Sequence, residues 1–156
     1  MERLWAPWRS SYVQEGAGRQ GCFLCLRDED LVVGERGRAF VIMNRFPYTN
    51  GHVMVAPKRH VSLLSDLTEE EALDLFYLLK AMERIYKEVM RAEGINVGMN
   101  MGRAAGAGLE DHLHIHMVPR WVGDTNFMPV FAETKVISEH ILATLARLKE
   151  GFERLL

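Results

Sequence analysis

The sequence predicts an α+β domain: a mainly antiparallel five-stranded sheet with one long helix and a C-terminal helix. Three observations predict it. Five short apolar runs are separated by turn-forming residues, one long stretch repeats apolar residues at helical spacing, and a second such stretch closes the chain. Strands joined mostly by short turns, with helices set apart from them, indicate an antiparallel α+β arrangement rather than alternating βαβ units.

Taken in order, Leu31 to Glu35 and Ala39 to Asn44 flank Arg36-Gly37-Arg38 and read as a hairpin. His52 to Ala56, bounded by Gly51 and Pro57, is the third strand. Thr68 to Ala92 is the long helix, opened by a capping box of Thr68 with Glu71 and ended at Gly94. Ala72, Leu75, Leu79, Met82, Tyr86 and Val89 form its apolar stripe. Leu73, Phe76, Tyr77 and Leu78 lie beyond that stripe and suggest burial on two sides. Ile95 to Met101 and Leu113 to Val118 are the last strands, with the glycine-rich stretch Gly102 to Gly108 between them. The final helix starts near Ser138 and lines up Ile141, Leu145, Leu148, Phe152 and Leu155. His140 falls among charged neighbours there and reads as a surface residue.

A length of 156 residues, 48% hydrophobic and 26% charged, fits one soluble domain over residues 1–156. Residues 1–21 form an N-terminal arm, joined through a Gly-rich polar segment, and residues 122–156 a C-terminal extension. A formal charge of −2 speaks against a nucleic-acid polymer as partner. No run approaches the roughly 18 apolar residues of a membrane span, and the charged N-terminus lacks a signal-peptide core. The expectation is a cytoplasmic protein with reduced thiols.

Chemistry concentrates in His112-Leu-His114-Ile-His116-Met-Val118. In a strand, alternate side chains share a face, so the three histidines form a row about 6.5–7 Å apart at Cα while Leu113, Ile115 and Met117 enter the core. Pro119 helps end that strand. Such a row suits a metal, as histidine ligands two apart often do. It equally suits phosphate chemistry, since neutral imidazole is nucleophilic and titrates near pH 6.5. A merely solvated polar face is the third alternative. Cys22-Phe-Leu-Cys25 has the spacing of half a zinc site, with His60 and His112 as candidates to complete it. A redox pair or two inert thiols remain the other readings.

The HLHIHMV segment resembles the signature of the histidine triad family, and two further blocks extend the likeness. These are Asn44 through His52 to Pro57, and Gly98-Met-Asn100-Met-Gly102 with Ala105-Gly106. The stretch from Asp111 to Val130 and the LWAPWR segment resemble a bacterial branch that includes diadenosine tetraphosphate phosphorylases. The resemblance implies a HIT-like fold and a nucleotidyl-transfer enzyme acting on a purine nucleotide or dinucleoside polyphosphate. It implies that His114 attacks the α-phosphorus and that His116 stabilises the departing oxygen. His52 would support the triad, Asn44 would bind ribose, Asn100 would approach phosphate, and Trp121 would meet the base or the phosphate end. Gly108 stands where phosphorylase-like relatives can carry serine, so Gly106 and Gly108 would offer only backbone N–H groups to an anion.

The same resemblance implies a structural zinc on Cys22, Cys25, His60 and His112, no organic cofactor, and a homodimer. Inorganic phosphate as second nucleophile would give ADP plus ATP from diadenosine tetraphosphate. Water would instead make the protein a hydrolase releasing AMP from nucleotides or phosphoramidates. Two further alternatives are a nucleotide-binding module with weak catalysis and a hydrolase using the triad as metal ligands.

Overall fold

The computed structural model describes residues 21–106, 111–125 and 137–155. Five strands form one sheet: β1 (Val32–Arg36), β2 (Ala39–Met43), β3 (Val53–Pro57), β4 (Gly94–Gly98) and β5 (Ile115–Arg120). Their order is β1-β2-β3-β5-β4, and every neighbouring pair runs antiparallel. A long helix (Glu69–Glu88) and a C-terminal helix (Ile141–Leu155) complete the fold. Among the described residues, no helix is long and apolar enough to cross a membrane.

The β1–β2 hairpin closes on Gly37, whose φ of +51° falls in the left-handed region. A Cβ there would lie 2.2 Å from the Asp74 carboxylate, which also accepts the Arg38 amide at 2.9 Å. Glycine is therefore required both by backbone and by space, and the turn is anchored to the long helix. That helix opens as expected: Thr68 accepts the Glu71 amide at 3.2 Å, and Glu71 accepts the Thr68 amide at 2.9 Å. It ends at Glu88, four residues before the expected limit. Arg91 takes a left-handed φ of +53°, and the Ala92 amide returns to the Tyr86 carbonyl at 2.9 Å. Gly94, expected to end the helix, instead begins β4.

Leu75, Leu78, Met82, Ile85 and Tyr86 from the long helix join sheet residues Phe40, Val41, Val55, Ile115 and Met117 in one core. Each fully buried aliphatic side chain contributes about 1.5–3 kcal/mol over its exposed state. Leu145, Leu148 and Phe152 bring the C-terminal helix into the same core. Phe152 rests directly over Gly34, where a Cβ would meet the ring at 2.2 Å. The suggested second buried face of the long helix is corrected in part. Leu78 belongs to the single core, whereas Leu73 and Phe76 are 70% and 66% exposed, and Tyr77 lies under the Arg36 guanidinium. His140 is exposed, as expected, and its Nδ1 accepts the Leu142 amide at the start of the C-terminal helix.

β5 is the strand that carries chemistry. It begins at Ile115, two residues later than expected, and runs through Pro119 to Arg120. β3 pairs with β5 only over Ile115 to Met117, so Pro119 lies beyond that ladder and its missing N–H leaves those pairings intact. Ile115 and Met117 enter the core, while His116, Val118 and Arg120 take the opposite face.

Candidate functional site

The expected row of three histidines on one strand face is corrected, because only His116 is in the strand. Upstream of Ile115 the ladder ends, and the Leu113 amide donates instead to the Val61 carbonyl at 2.6 Å. The histidines on either side of that amide lie in two different places. His112 turns toward the cysteines, and His114 stays with His116, their ring centroids 4.9 Å apart.

His114 is buried, and its Nδ1 lies 2.8 Å from the His112 carbonyl oxygen. A carbonyl only accepts, so Nδ1 carries the proton and the lone pair of the neutral ring is on Nε2. Burial lowers the pKa of His114, opposed by that same hydrogen bond. The ring is therefore neutral near pH 7 and has the form of a nucleophile.

A second chain of hydrogen bonds assigns the protons of His52 and His116. The Tyr48 amide donates to His52 Nδ1 at 3.1 Å, which places the His52 proton on Nε2. His52 Nε2 lies 2.9 Å from His116 Nδ1 and donates to it. In its neutral form the His116 ring then carries its proton on Nε2, the end away from that bond and able to donate. His52 is fully buried, and the Tyr48 ring stacks on it with centroids 4.5 Å apart. Tyr48 did not stand out in the sequence; the Pro-Tyr-Thr-Asn-Gly run before His52 is a turn signal that could have drawn attention to its amide.

Asn44 closes the same turn. Its Oδ1 accepts the Phe46 amide at 2.9 Å, and its Nδ2 lies 3.4 Å from His52 Nε2. Asn100 and Gly106 line an open groove of about 630 Å³ together with Tyr48, Thr49, His116 and Arg120. This size suits a small-molecule ligand. Gly108 lies outside the described residues. Trp121 is placed away from the groove: its indole N–H donates to the Met90 and Arg91 carbonyls, bracing the end of the long helix.

The cysteines form a compact cluster with two histidines. Cys22 and Cys25 are brought together by a turn in which the Cys25 and Leu26 amides return to the Cys22 carbonyl. His112 Nδ1 lies 3.2 Å from Cys22 Sγ and 3.4 Å from Cys25 Sγ, and His60 Nδ1 lies 3.2 Å from Cys25 Sγ. All four donor atoms are within 4.8 Å of one another. A tetrahedral ion with bonds of about 2.3 Å to sulfur and 2.0–2.1 Å to nitrogen needs donor separations of roughly 3.5 Å. The His112 tautomer fits as well. Its Nε2 lies 2.8 Å from the Pro57 carbonyl and must donate to it, which leaves the Nδ1 lone pair facing the thiols. Cys22, Cys25, His60 and His112 can therefore hold a metal ion.

Comparison with known proteins agrees with this geometry. The HIT domain profile matches residues 27–122. The chain is 38% identical to the AP-4-A phosphorylase of Mycobacterium tuberculosis over 167 aligned positions, covering 99% of this chain and 86% of that protein. It is also 38% identical over 82 positions to the bis(5'-adenosyl)-triphosphatase of Dictyostelium discoideum, covering 53% of this chain and 54% of that one. Among solved structures, a hypothetical histidine triad nucleotide-binding protein from Sulfolobus tokodaii superposes with a TM-score of 0.70 at 26% identity. That match covers 86% of this chain and 93% of the other.

Proposed function

The chain belongs to the histidine triad (HIT) family of nucleotide hydrolases and transferases, and from that premise we propose that it is a diadenosine tetraphosphate phosphorylase working through a nucleotidyl-histidine. The observation that carries the reading is the pair of hydrogen bonds that set opposite tautomers on two rings whose centroids are 4.9 Å apart: His114 Nδ1 to the His112 carbonyl, and His52 Nε2 to His116 Nδ1. His114 Nε2 attacks the α-phosphorus, an N–P bond forms, and the P–O bond to the distal phosphates breaks. The departing oxygen receives hydrogen-bond donation from His116 as its charge develops. Inorganic phosphate then attacks the same phosphorus, the N–P bond breaks, and ADP leaves. From diadenosine tetraphosphate the first product is ATP.

Asn44 holds the ribose in this scheme, and Asn100 and the Gly106 turn receive the phosphates. Similarity to a phosphorylase over nearly the whole chain favours phosphate as the second nucleophile. Water is the second reading, favoured by the shorter match to a triphosphatase, and would release AMP. Incubation with diadenosine tetraphosphate, with and without inorganic phosphate, decides between them. ADP plus ATP formed only with phosphate supports the phosphorylase, and AMP plus ATP supports the hydrolase.

The same proposal places a structural zinc on Cys22, Cys25, His60 and His112. With four protein donors the ion has no open position, so it supplies rigidity and takes no part in bond breaking. The working unit is a cytoplasmic homodimer of single-domain chains, in which residues 1–21 are an arm and residues 122–156 an extension. The exposed Leu73 and Phe76 are compatible with a partner surface.

A further inference from the structure

We propose that Tyr86 is a positioning residue for nucleotidyl transfer: its buried hydroxyl ties the backbone beside His52 to the backbone beside His116 and so holds the hydrogen bond between their rings. This rests on the nucleotidyl-transfer reading above.

Tyr86 lies in the last turn of the long helix and is fully buried. A phenylalanine would supply the same apolar ring, so the hydroxyl is the feature that needs a reason. An oxygen placed in an apolar core loses its water and must find partners there. It donates to the Gly51 carbonyl at 2.6 Å and reaches the Met117 carbonyl at 3.1 Å. Burial holds its pKa well above the ordinary tyrosine value, against a hydrogen bond from the Val53 backbone, so the phenol keeps its proton and donates.

These backbone groups flank the paired rings. Gly51 and Val53 stand on either side of His52, and Met117 follows His116. Val53 with Met117 is the last pair of the β3–β5 ladder, and His52 lies one residue past it. Strand pairing therefore stops short of His52, and the Tyr86 hydroxyl joins the two segments where the pairing ends. The separation it holds matters: His52 Nε2 is 2.9 Å from His116 Nδ1, and about 0.5 Å more would leave the range of a good hydrogen bond. Without that donor, neutral His116 is no longer held with its proton on Nε2. The helix end that carries Tyr86 is secured in turn by the Trp121 indole on the Met90 and Arg91 carbonyls.

The test is Tyr86→Phe, which removes one oxygen and keeps the ring. With diadenosine tetraphosphate and inorganic phosphate, kcat should fall about tenfold while KM stays within about twofold. The loss should shrink for a nucleotidyl ester with a good leaving group, where donation from His116 matters less. In a His52→Ala background, Tyr86→Phe should cost less than about twofold, because the bond it secures is already gone. Nitrogen NMR of histidine-labelled protein reads the pair independently of turnover. The two ring nitrogens of wild-type His116 should be widely separated in shift, as a single neutral tautomer requires, and should move towards each other in Tyr86→Phe. Phe152→Leu thins the same core away from the histidines and is the stability control; it should leave the His116 spectrum and the leaving-group dependence unchanged. An equal loss across leaving groups, an additive loss in the His52→Ala background or an unchanged His116 spectrum makes Tyr86 a core residue only and overturns the positioning role, while the nucleotidyl-transfer reading stands. A Tyr86→Phe chain that fails to fold where Phe152→Leu folds overturns it as well. Absence of wild-type turnover removes the underlying reading, and the positioning role for that reaction falls with it.

Discussion

Nδ1 of His114 lies 2.8 Å from the carbonyl oxygen of His112, the residue whose own ring faces the two cysteines. His112 thus serves two sites at once: its side chain belongs to the Cys/His cluster that can hold a metal ion, and its carbonyl fixes the proton of the proposed nucleophile. Replacing His114 by Ala removes the attacking atom and leaves His112 in place. Trapping of labelled nucleotide on the protein should vanish, and turnover should fall by at least about 10³-fold. Turnover at the wild-type rate would refute the role.

In the proposed mechanism His52 acts through His116, 2.9 Å away. Without it, the His116 ring loses the donor at Nδ1 that keeps its own proton on Nε2. His52→Ala should lower kcat about 10²-fold with little change in KM. The deficit should narrow for a nucleotidyl ester with a good leaving group, which needs less donation in the transition state. Equal deficits across leaving groups would count against assistance to the departing oxygen.

The order and type of the elements were legible because each apolar run matched a period, and the capping box of Thr68 with Glu71 marked the helix start to within a residue. The separation of His112 from His114 and His116 was not legible from that pattern. It depends on the Val61 carbonyl capturing the Leu113 amide, and on the Pro57 carbonyl, 55 positions away, orienting the His112 ring. Periodicity reports local alternation and carries no information about such distant acceptors. The assembly of His112 with the cysteines and His60 is legible from the Cys-x-x-Cys spacing together with resemblance to relatives, and the fold brings these four together. Trp121 was the least legible of the candidate residues: its position after the triad suggested a ligand contact, but its N–H is used by the Met90 and Arg91 carbonyls.

The cysteine-histidine cluster predicts about one zinc per chain in protein prepared without chelator. Removing the ion should lower Tm, because it ties the segment at Cys22 to the residues just before β5. Cys22→Ser and Cys25→Ser should each lose the ion, read by metal analysis independently of activity. A metal-free protein of equal stability would remove zinc from the proposal.

Glu71 links the capping box to Arg59. Its carboxylate receives Arg59 Nε at 2.8 Å and Nη2 at 2.7 Å while also accepting the Thr68 amide. The Arg59 hydrogen bond is the largest cause, with the Thr68 amide next, that pulls its pKa from 4.5 down to about 2. A carboxyl depressed in the folded state stabilises the fold above its unfolded pKa, and that contribution is lost as pH falls from about 4.5 toward 2. Glu71→Gln should therefore cost about 1–3 kcal/mol at pH 7, since a buried acceptor of charge-assisted bonds is replaced. In urea unfolding, the wild-type and Glu71→Gln curves should be well separated between pH 5 and 7 and converge as pH approaches 2. Parallel curves over the whole range would show that the Arg59–Glu71 pair contributes nothing to stability through its charge.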